Sequence, residues 1–309
     1  MHNCTSQSMK IAYIILAHKY PEQLKRLIHR LNTEDVSFFI HIDKKVEAKI
    51  YHQVVTLLKD FTNVFFLKRF NSGWGSFDAV RASLEGIKSI VKTGIDFDYV
   101  IHLSGQDYPI KSNTHIKKFL EQNKGKEFIE YFPLPCNKWE GGGLRRIEYW
   151  HIRWGNRYIA IPEKREFKSA IHSFIYSFLI SFLPKKRNFF EGFTLYGGSA
   201  FWCLTGECIK YIDNFVKRSP KFVNRFNYTH ITDEIFYQIL ILNSTFQDKI
   251  INDHLRYIDW ENINALHPRI LGTNDFENIK QSEKLFARKF DQIVEPHILD
   301  MIDEMIYKR

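Results

Sequence analysis

Cysteine is scarce and scattered in this chain. Cys4, Cys136, Cys203 and Cys208 form no CxxC pair and lack the density of a secreted disulfide scaffold, which excludes a zinc ribbon and an oxidised framework and favours a reducing compartment. Blocks of Lys and Arg are absent as well, although the formal charge is +9. An acidic partner (nucleic acid, an anionic membrane or a phosphorylated substrate) is therefore set evenly beside simple solubility, and no motif of a nucleic-acid module is present. No apolar run reaches the roughly 20 residues of a bilayer span. The nearest, Ala170 to Pro184 (AIHSFIYSFLISFLP), is flanked by Lys164, Arg165, Lys185, Lys186 and Arg187. It reads as a buried core helix in preference to a helix lying on an anionic membrane. The opening MHNCTSQSMK has no apolar signal core.

What is present is a regular alternation. With 44% hydrophobic and 26% charged residues over 309 positions, the chain can fill a complete core. Ile11 to Ala17 reads as a buried strand, Pro21 opens a helix with Leu24, Leu27, Ile28 and Leu31 on one face, and Ser37 to Ile42 returns as a strand. A helix over Val46 to Lys59, a strand at Val64 to Leu67, a helix over Ser76 to Val91 and a strand from Tyr99 follow. This predicts an α/β fold, a mainly parallel sheet with helices on both sides. Beyond Ile110 a helix near His115 to Gln122 and a strand at Phe128 to Tyr131 precede Cys136 to Asn156, which reads as a loop suited to recognition. A strand at Phe201 to Leu204 and helices at Gly206 to Val216 and Thr232 to Leu242 complete the pattern. No repeat or linker appears, so residues 1–309 are expected to form one continuous domain, its halves (about 9–112 and 113–309) sharing a cleft.

Chemistry is expected where strands end. In Tyr99 to Ile110 (YVIHLSGQDYPI) the apolar run breaks at Ser104-Gly105 and delivers a lone carboxylate, Asp107. An Asp-x-Asp pair at such a point can hold a metal against a diphosphate; with one acid, the positive charge for such a ligand must come from elsewhere. The literal match, Asp96-Phe97-Asp98, lies before the strand, at the wrong end, and reads as a solvated loop. Thr232-Asp233-Glu234 opens an apolar-faced helix, with Thr232 a candidate N-cap. Its acids are either simple helix-end chemistry or, through Glu234 kept ionised by the helix dipole, a general base. Gly197-Gly198-Ser199-Ala200 precedes a strand and reads as a turn or as a place where backbone approaches a bound sugar. His267-Pro268-Arg269 and Leu285 to Phe290 (LFARKF) supply cations able to neutralise a departing phosphate.

Taken in order, AYIILAH (12–18), FIHIDK (39–44), Trp74-Gly75, LSGQDYPI (103–110), GGSA (197–200), TDE (232–234), RYIDW (256–260) and LFARKFD (285–291) resemble the core-2/I-branching β-1,6-N-acetylglucosaminyltransferase family, which includes the peptide O-xylosyltransferases. The resemblance implies a GT-A-like, Rossmann-like fold and an inverting transfer that needs neither metal nor cofactor. In it Glu234 corresponds to the catalytic base, and Arg269 and Lys289 to the basic pair at the UDP diphosphate. Asp43 falls at the uridine, Asp107 on the donor side, and Trp260, with Gly198 and Ser199, on the acceptor side. The implied reaction moves a sugar, N-acetylglucosamine ahead of xylose, from a UDP-sugar to a hydroxyl of a glycan or protein, giving a β linkage. A noncatalytic glycan- or nucleotide-binding protein on the same fold is the alternative. The sequence lacks the anchor, stem and cysteine set of the animal members, which points to a bacterial-type cytoplasmic enzyme acting on surface-glycan precursors, with peripheral contact at the inner membrane face left open. Arg145, Arg146, Tyr149, His151 and Arg153 are acceptor-loop candidates without assigned roles.

Overall fold

A strand that is apolar at every position is satisfied only when both faces of its sheet are covered. Ile11–Ala17 (β1) is such a strand: Ile11, Tyr13 and Ile15 enter one core, Ala12 and Ile14 the other. The computed structural model describes residues 8–73, 75–154, 157–162, 170–183, 186–188, 191–261 and 267–308. After β1 come α1 (Pro21–Leu31), β2 (Val36–Ile42), α2 (Ala48–Leu58), β3 (Val64–Phe66), α3 (Asp78–Lys92), β4 (Tyr99–Ser104), β5 (Tyr108–Pro109), α4 (Asn113–Gln122) and β6 (Glu127–Pro133). The remainder contributes α5 (Arg145–Glu148), β7 (Trp150–Trp154), β8 (Arg157–Ile161), α6 (Ala170–Phe182), β9 (Tyr196–Thr205), α7 (Gly206–Arg218) and α8 (Pro220–Arg225). It ends with α9 (Phe236–Leu242), β10 (Ile250–Ile251), β11 (Arg256–Ile258), α10 (Phe276–Gln281), β12 (Phe286–Arg288) and α11 (Ile298–Tyr307).

The main sheet has seven strands in the order β10-β6-β9-β4-β1-β2-β3. β1 pairs in parallel with β2 and β4, and β2 with β3, while β9 runs antiparallel between β4 and β6. The α/β class and the mainly parallel sheet are as expected. Residues of α1, α2 and α11 close one face, and those of α3, α7 and α9 the other. A second sheet, β11-β12-β5, joins the turn after β4 to the C-terminal segment.

Four local expectations are corrected. The loop at Cys136 to Asn156 contains α5 and the first strand of the β7-β8 hairpin, whose alternation is hidden by large amphipathic residues such as Trp150 and His151. Gly197 to Ala200 lie within β9, not before it. Thr232 to Glu234 form a short 3-10 turn separate from α9. The apolar run Ala170 to Pro184 is not a buried core helix: Tyr176 is buried, but Ile171, Phe174, Phe178 and Phe182 of α6 are between 56% and 72% exposed. Among the described residues no helix is long and apolar enough to cross a membrane. Trp74 and Pro184 lie outside the described residues.

The β6–β9 seam closes on one buried acid. Glu127, wholly buried, accepts hydrogen bonds from the Thr205 amide (2.8 Å) and hydroxyl (2.6 Å), and the same hydroxyl caps α7 by accepting from Cys208 N at 3.2 Å. Thr205→Ala should lower the unfolding free energy in urea titrations by about 1–3 kcal/mol, the cost of a buried group short of a partner, with Thr205→Ser close to the native value.

Candidate active site

Two motifs far apart in sequence are stitched into one edge at the C-terminal end of β4. β12 pairs antiparallel with β5, Ala287 opposite Tyr108. Gln106 donates its side-chain amide to the Phe290 carbonyl at 2.9 Å, and Phe290 N donates to the Gln106 carbonyl at 3.0 Å. Gln23 of α1 bridges the same two segments, donating to the carbonyls of Gly105 (3.0 Å) and Phe290 (3.3 Å). Arg288 and Lys289 are thereby carried to the strand ends. Asp43 sits beside β1, its amide donating to Ala17 O at 2.9 Å and its carboxylate accepting from Lys45 N at 2.8 Å.

Asp107 does not face a ligand as the donor-side expectation required. It is wholly buried: Oδ2 accepts from the amide and hydroxyl of Ser104, and Oδ1 has no hydrogen-bond partner. Two guanidinium groups answer its charge. Burial pulls the Arg256 pKa down to about 10 and lowers that of Arg288, and Asp107 is the foremost acid opposing the drop in each. The Arg288 guanidinium lies 4.2 Å from the centre of the Phe201 ring, its Nε without a partner. Next to it, burial and the charges of Lys19 and Arg288 press the Lys289 pKa downward. Lys19 is neutralised by Asp291 at 3.1 Å, whereas Lys289 makes no ion pair among the described residues. His18 and His267 also feel Lys289 and Arg288, and burial lowers the pKa of both.

The second half of the expected basic pair is placed differently. Arg269 donates from Nε to Asp259 at 3.0 Å and from Nη1 to Asp275 at 2.9 Å, so its charge is spent on a carboxylate cluster. Arg288, at the end of β12, is the cation adjacent to Lys289. Trp260 is 48% exposed. Asp96 pairs with Lys210 at 2.5 Å and Asp98 accepts from Lys10 N at 2.8 Å, both at the far end of β4, in agreement with the decoy reading.

Glu234 is within electrostatic reach of Arg288: its charge and that of Asp233 both oppose the drop in the Arg288 pKa. Burial, then the Asp233 charge, pushes its carboxyl up to about 7, while Arg146, donating from Nη1 to Oε2 at 2.7 Å, opposes the rise. The helix dipole is not what governs its ionisation. Thr232 is no N-cap, since its hydroxyl donates to Thr229 O at 2.9 Å, and Ile231, at φ 49°, is pinned by donating its amide to Gly75 O at 2.9 Å. Arg146 in turn lies 3.6 Å from the centre of the Trp139 ring. That ring accounts for Gly197, where a Cβ would strike Trp139. At Gly198 a Cβ would overlap the Glu130 carbonyl of β6. The close approach expected of this glycine pair is thus strand and ring packing, and Ser199 is held by Gln238, which donates to its carbonyl at 2.7 Å.

Sequence reasoning named Arg146 without a role and did not single out Arg256 or Trp139. Only the adjacency of two cations in LFARKF pointed to Arg288. Among the described residues no group of three His, Cys, Asp or Glu side chains is arranged to hold a metal.

A carboxylate raised toward neutrality and a group of cations thus come together in an α/β protein with a mainly parallel sheet, the cations at the C-terminal end of β4. The chain belongs to the Core-2/I-branching enzyme family, whose family model matches residues 11–280. It is 25% identical to xylosyltransferase 2 of Rattus norvegicus over 97% of this chain and 34% of that protein, and 24% identical to the Homo sapiens counterpart over the same shares. Xylosyltransferase 1 of Rattus norvegicus is 22% identical over 97% of this chain and 36% of that protein. The chain thus spans about a third of the length of these curated relatives. Among solved structures it is similar to the galactosyltransferase LgtC in complex with donor and acceptor sugar analogs, at 9% identity and a TM-score of 0.43 over 95% of each chain.

Because Arg146 stabilises the ionised form of Glu234, Arg146→Met should move the Glu234 titration midpoint upward, as read from the carbon-13 shift of its side-chain carboxyl against pH; an unchanged midpoint would remove Arg146 from its control.

Proposed function

We propose that this chain is an inverting, metal-independent glycosyltransferase that moves a sugar from an α-linked UDP-sugar to a hydroxyl of a glycan or protein acceptor, forming a β linkage. The observation that carries the reading is Glu234, held by Arg146 at 2.7 Å, pushed up to about 7 by burial and Asp233, and acting electrostatically on Arg288, the neighbour of Lys289. In this reaction Glu234 takes the acceptor proton as the hydroxyl oxygen bonds to the anomeric carbon from the face opposite UDP. The carbon–oxygen bond to the diphosphate breaks, its electron pair stays on the phosphate oxygen, and Arg288 and Lys289 stabilise that charge, the part a metal plays elsewhere. Asp43 is assigned to the uridine and Trp260 to the apolar face of the acceptor sugar. Asp107 acts on the donor indirectly, its charge favouring the ionised Arg288. The names of the relatives put UDP-xylose ahead of the UDP-N-acetylglucosamine favoured from sequence.

With UDP release assayed in excess EDTA, Glu234→Gln should keep UDP affinity but lose two or more orders of magnitude in rate, the usual scale of general base catalysis. The native rate should climb with pH through about 7 as the Glu234 carboxyl sheds its proton and then level off. Near-native turnover by Glu234→Gln would remove Glu234 from the mechanism, whereas UDP-sugar binding by the native chain without UDP release would favour a binding protein on the same fold. By calorimetry, Arg288→Ala and Lys289→Ala should each weaken UDP binding about tenfold or more, the loss of a charge-assisted contact. Arg269→Ala should reduce thermal stability and leave UDP affinity near native; the opposite ranking would return the diphosphate to Arg269.

A further inference from the structure

Helix α6 carries an exposed apolar face that the transfer chemistry leaves unused. Ile171, Phe174, Phe178 and Phe182 recur at spacings of three and four, so they form a single stripe along the helix. They are 70%, 72%, 56% and 72% exposed, and Phe178 and Phe182 touch, with ring centroids 4.7 Å apart. Ser173, Ser177 and Ser181 are exposed along the adjoining edge. Tyr176, on the opposite side, is buried in a small cluster with Ile159 and Ile161 of β8, which fixes the stripe outward.

We propose that this stripe docks in the interfacial layer of an anionic phospholipid bilayer, the helix lying parallel to the surface. At 13 residues α6 is about 20 Å long, too short to span the hydrocarbon layer but long enough to lie in it. The charge fits: α6 contains no Asp, Glu, Lys or Arg, and the surrounding sequence supplies Lys164, Arg165, Lys168, Lys185, Lys186 and Arg187 against Glu163 and Glu166, within a chain of net charge +9. Of these, Arg187 is turned inward, whereas Lys186 is paired with Glu148 yet remains 64% exposed. The area argues against a second copy as the occupant. A footprint of about 20 by 10 Å gives about 400 Å² over two copies, well below the roughly 1,200 Å² of a stable interface. The proposal does not depend on the transfer reaction, and its test reads no activity.

The experiment is flotation of the full chain with phosphatidylcholine vesicles and with vesicles containing phosphatidylglycerol. Flotation with the anionic vesicles, weakened by salt and reduced about tenfold or more in Phe174→Glu/Phe178→Glu, is expected from removing two buried aromatic side chains. Circular dichroism checks that the variant is folded. A separate Phe178→Trp variant, which keeps the stripe apolar, should blue-shift its fluorescence on the anionic vesicles. Absence of flotation with either vesicle overturns the proposal, as does flotation that the double variant retains, which would belong to bulk charge alone. Light scattering that finds a dimer without lipid, lost in the double variant, would give the stripe to a second copy and overturn it equally.

Discussion

A single buried carboxylate holds this molecule's two halves to one purpose. Asp107 is fixed at one oxygen by the turn that ends β4, and its charge supports both Arg256 and Arg288. None of the three would be stable alone in that position, because an unpaired buried charge is among the most expensive features a fold can carry. Together they bind the central sheet to the small sheet β11-β12-β5, and Arg288 comes to the cleft as a consequence of that packing. The residue that opened as half of a missing metal site is therefore better understood as the anchor of the cation.

At Glu234 the same physics works in reverse. Burial and Asp233 favour the protonated Glu234, Arg146 favours the ionised form, and the balance falls close to neutral pH. A carboxyl so poised can exchange a proton at little cost, which is what general base chemistry asks of it. The two sets are complementary: cations destabilised by burial and mutual repulsion, and an acid destabilised by burial and a like-charged neighbour. Each set gains from a ligand that brings an anion to one and a proton to the other.

The fold was largely legible because its signals are local. Apolar strands and amphipathic helices from Ile11 to Leu103 announce themselves within windows of a dozen residues, and the parallel order follows from their alternation. Strand direction carries no local signal, so the antiparallel β9 was not foreseen. At the site, Glu234 and Lys289 could be read from ordered motifs, but their partners could not. Arg146 meets Glu234 across 88 residues of chain, and Arg269 is captured by Asp259 and Asp275, acids to which the sequence reading gave no role. Gly197 and Gly198 misled for a similar reason: a glycine pair announces close approach without saying to what, and here the neighbours are the Trp139 ring and the Glu130 carbonyl.

Arg187 ends the segment that follows α6, and its guanidinium points inward, donating from Nη1 to the main-chain carbonyls of Ile147 at 3.1 Å and Tyr228 at 2.9 Å. Those carbonyls belong to the two stretches that carry Arg146 and lead to Glu234. One guanidinium thereby ties the backbone that carries Arg146 to the backbone that leads to Glu234, so a carboxyl and the cation that sets its ionisation are kept in register by a residue that bonds to neither side chain.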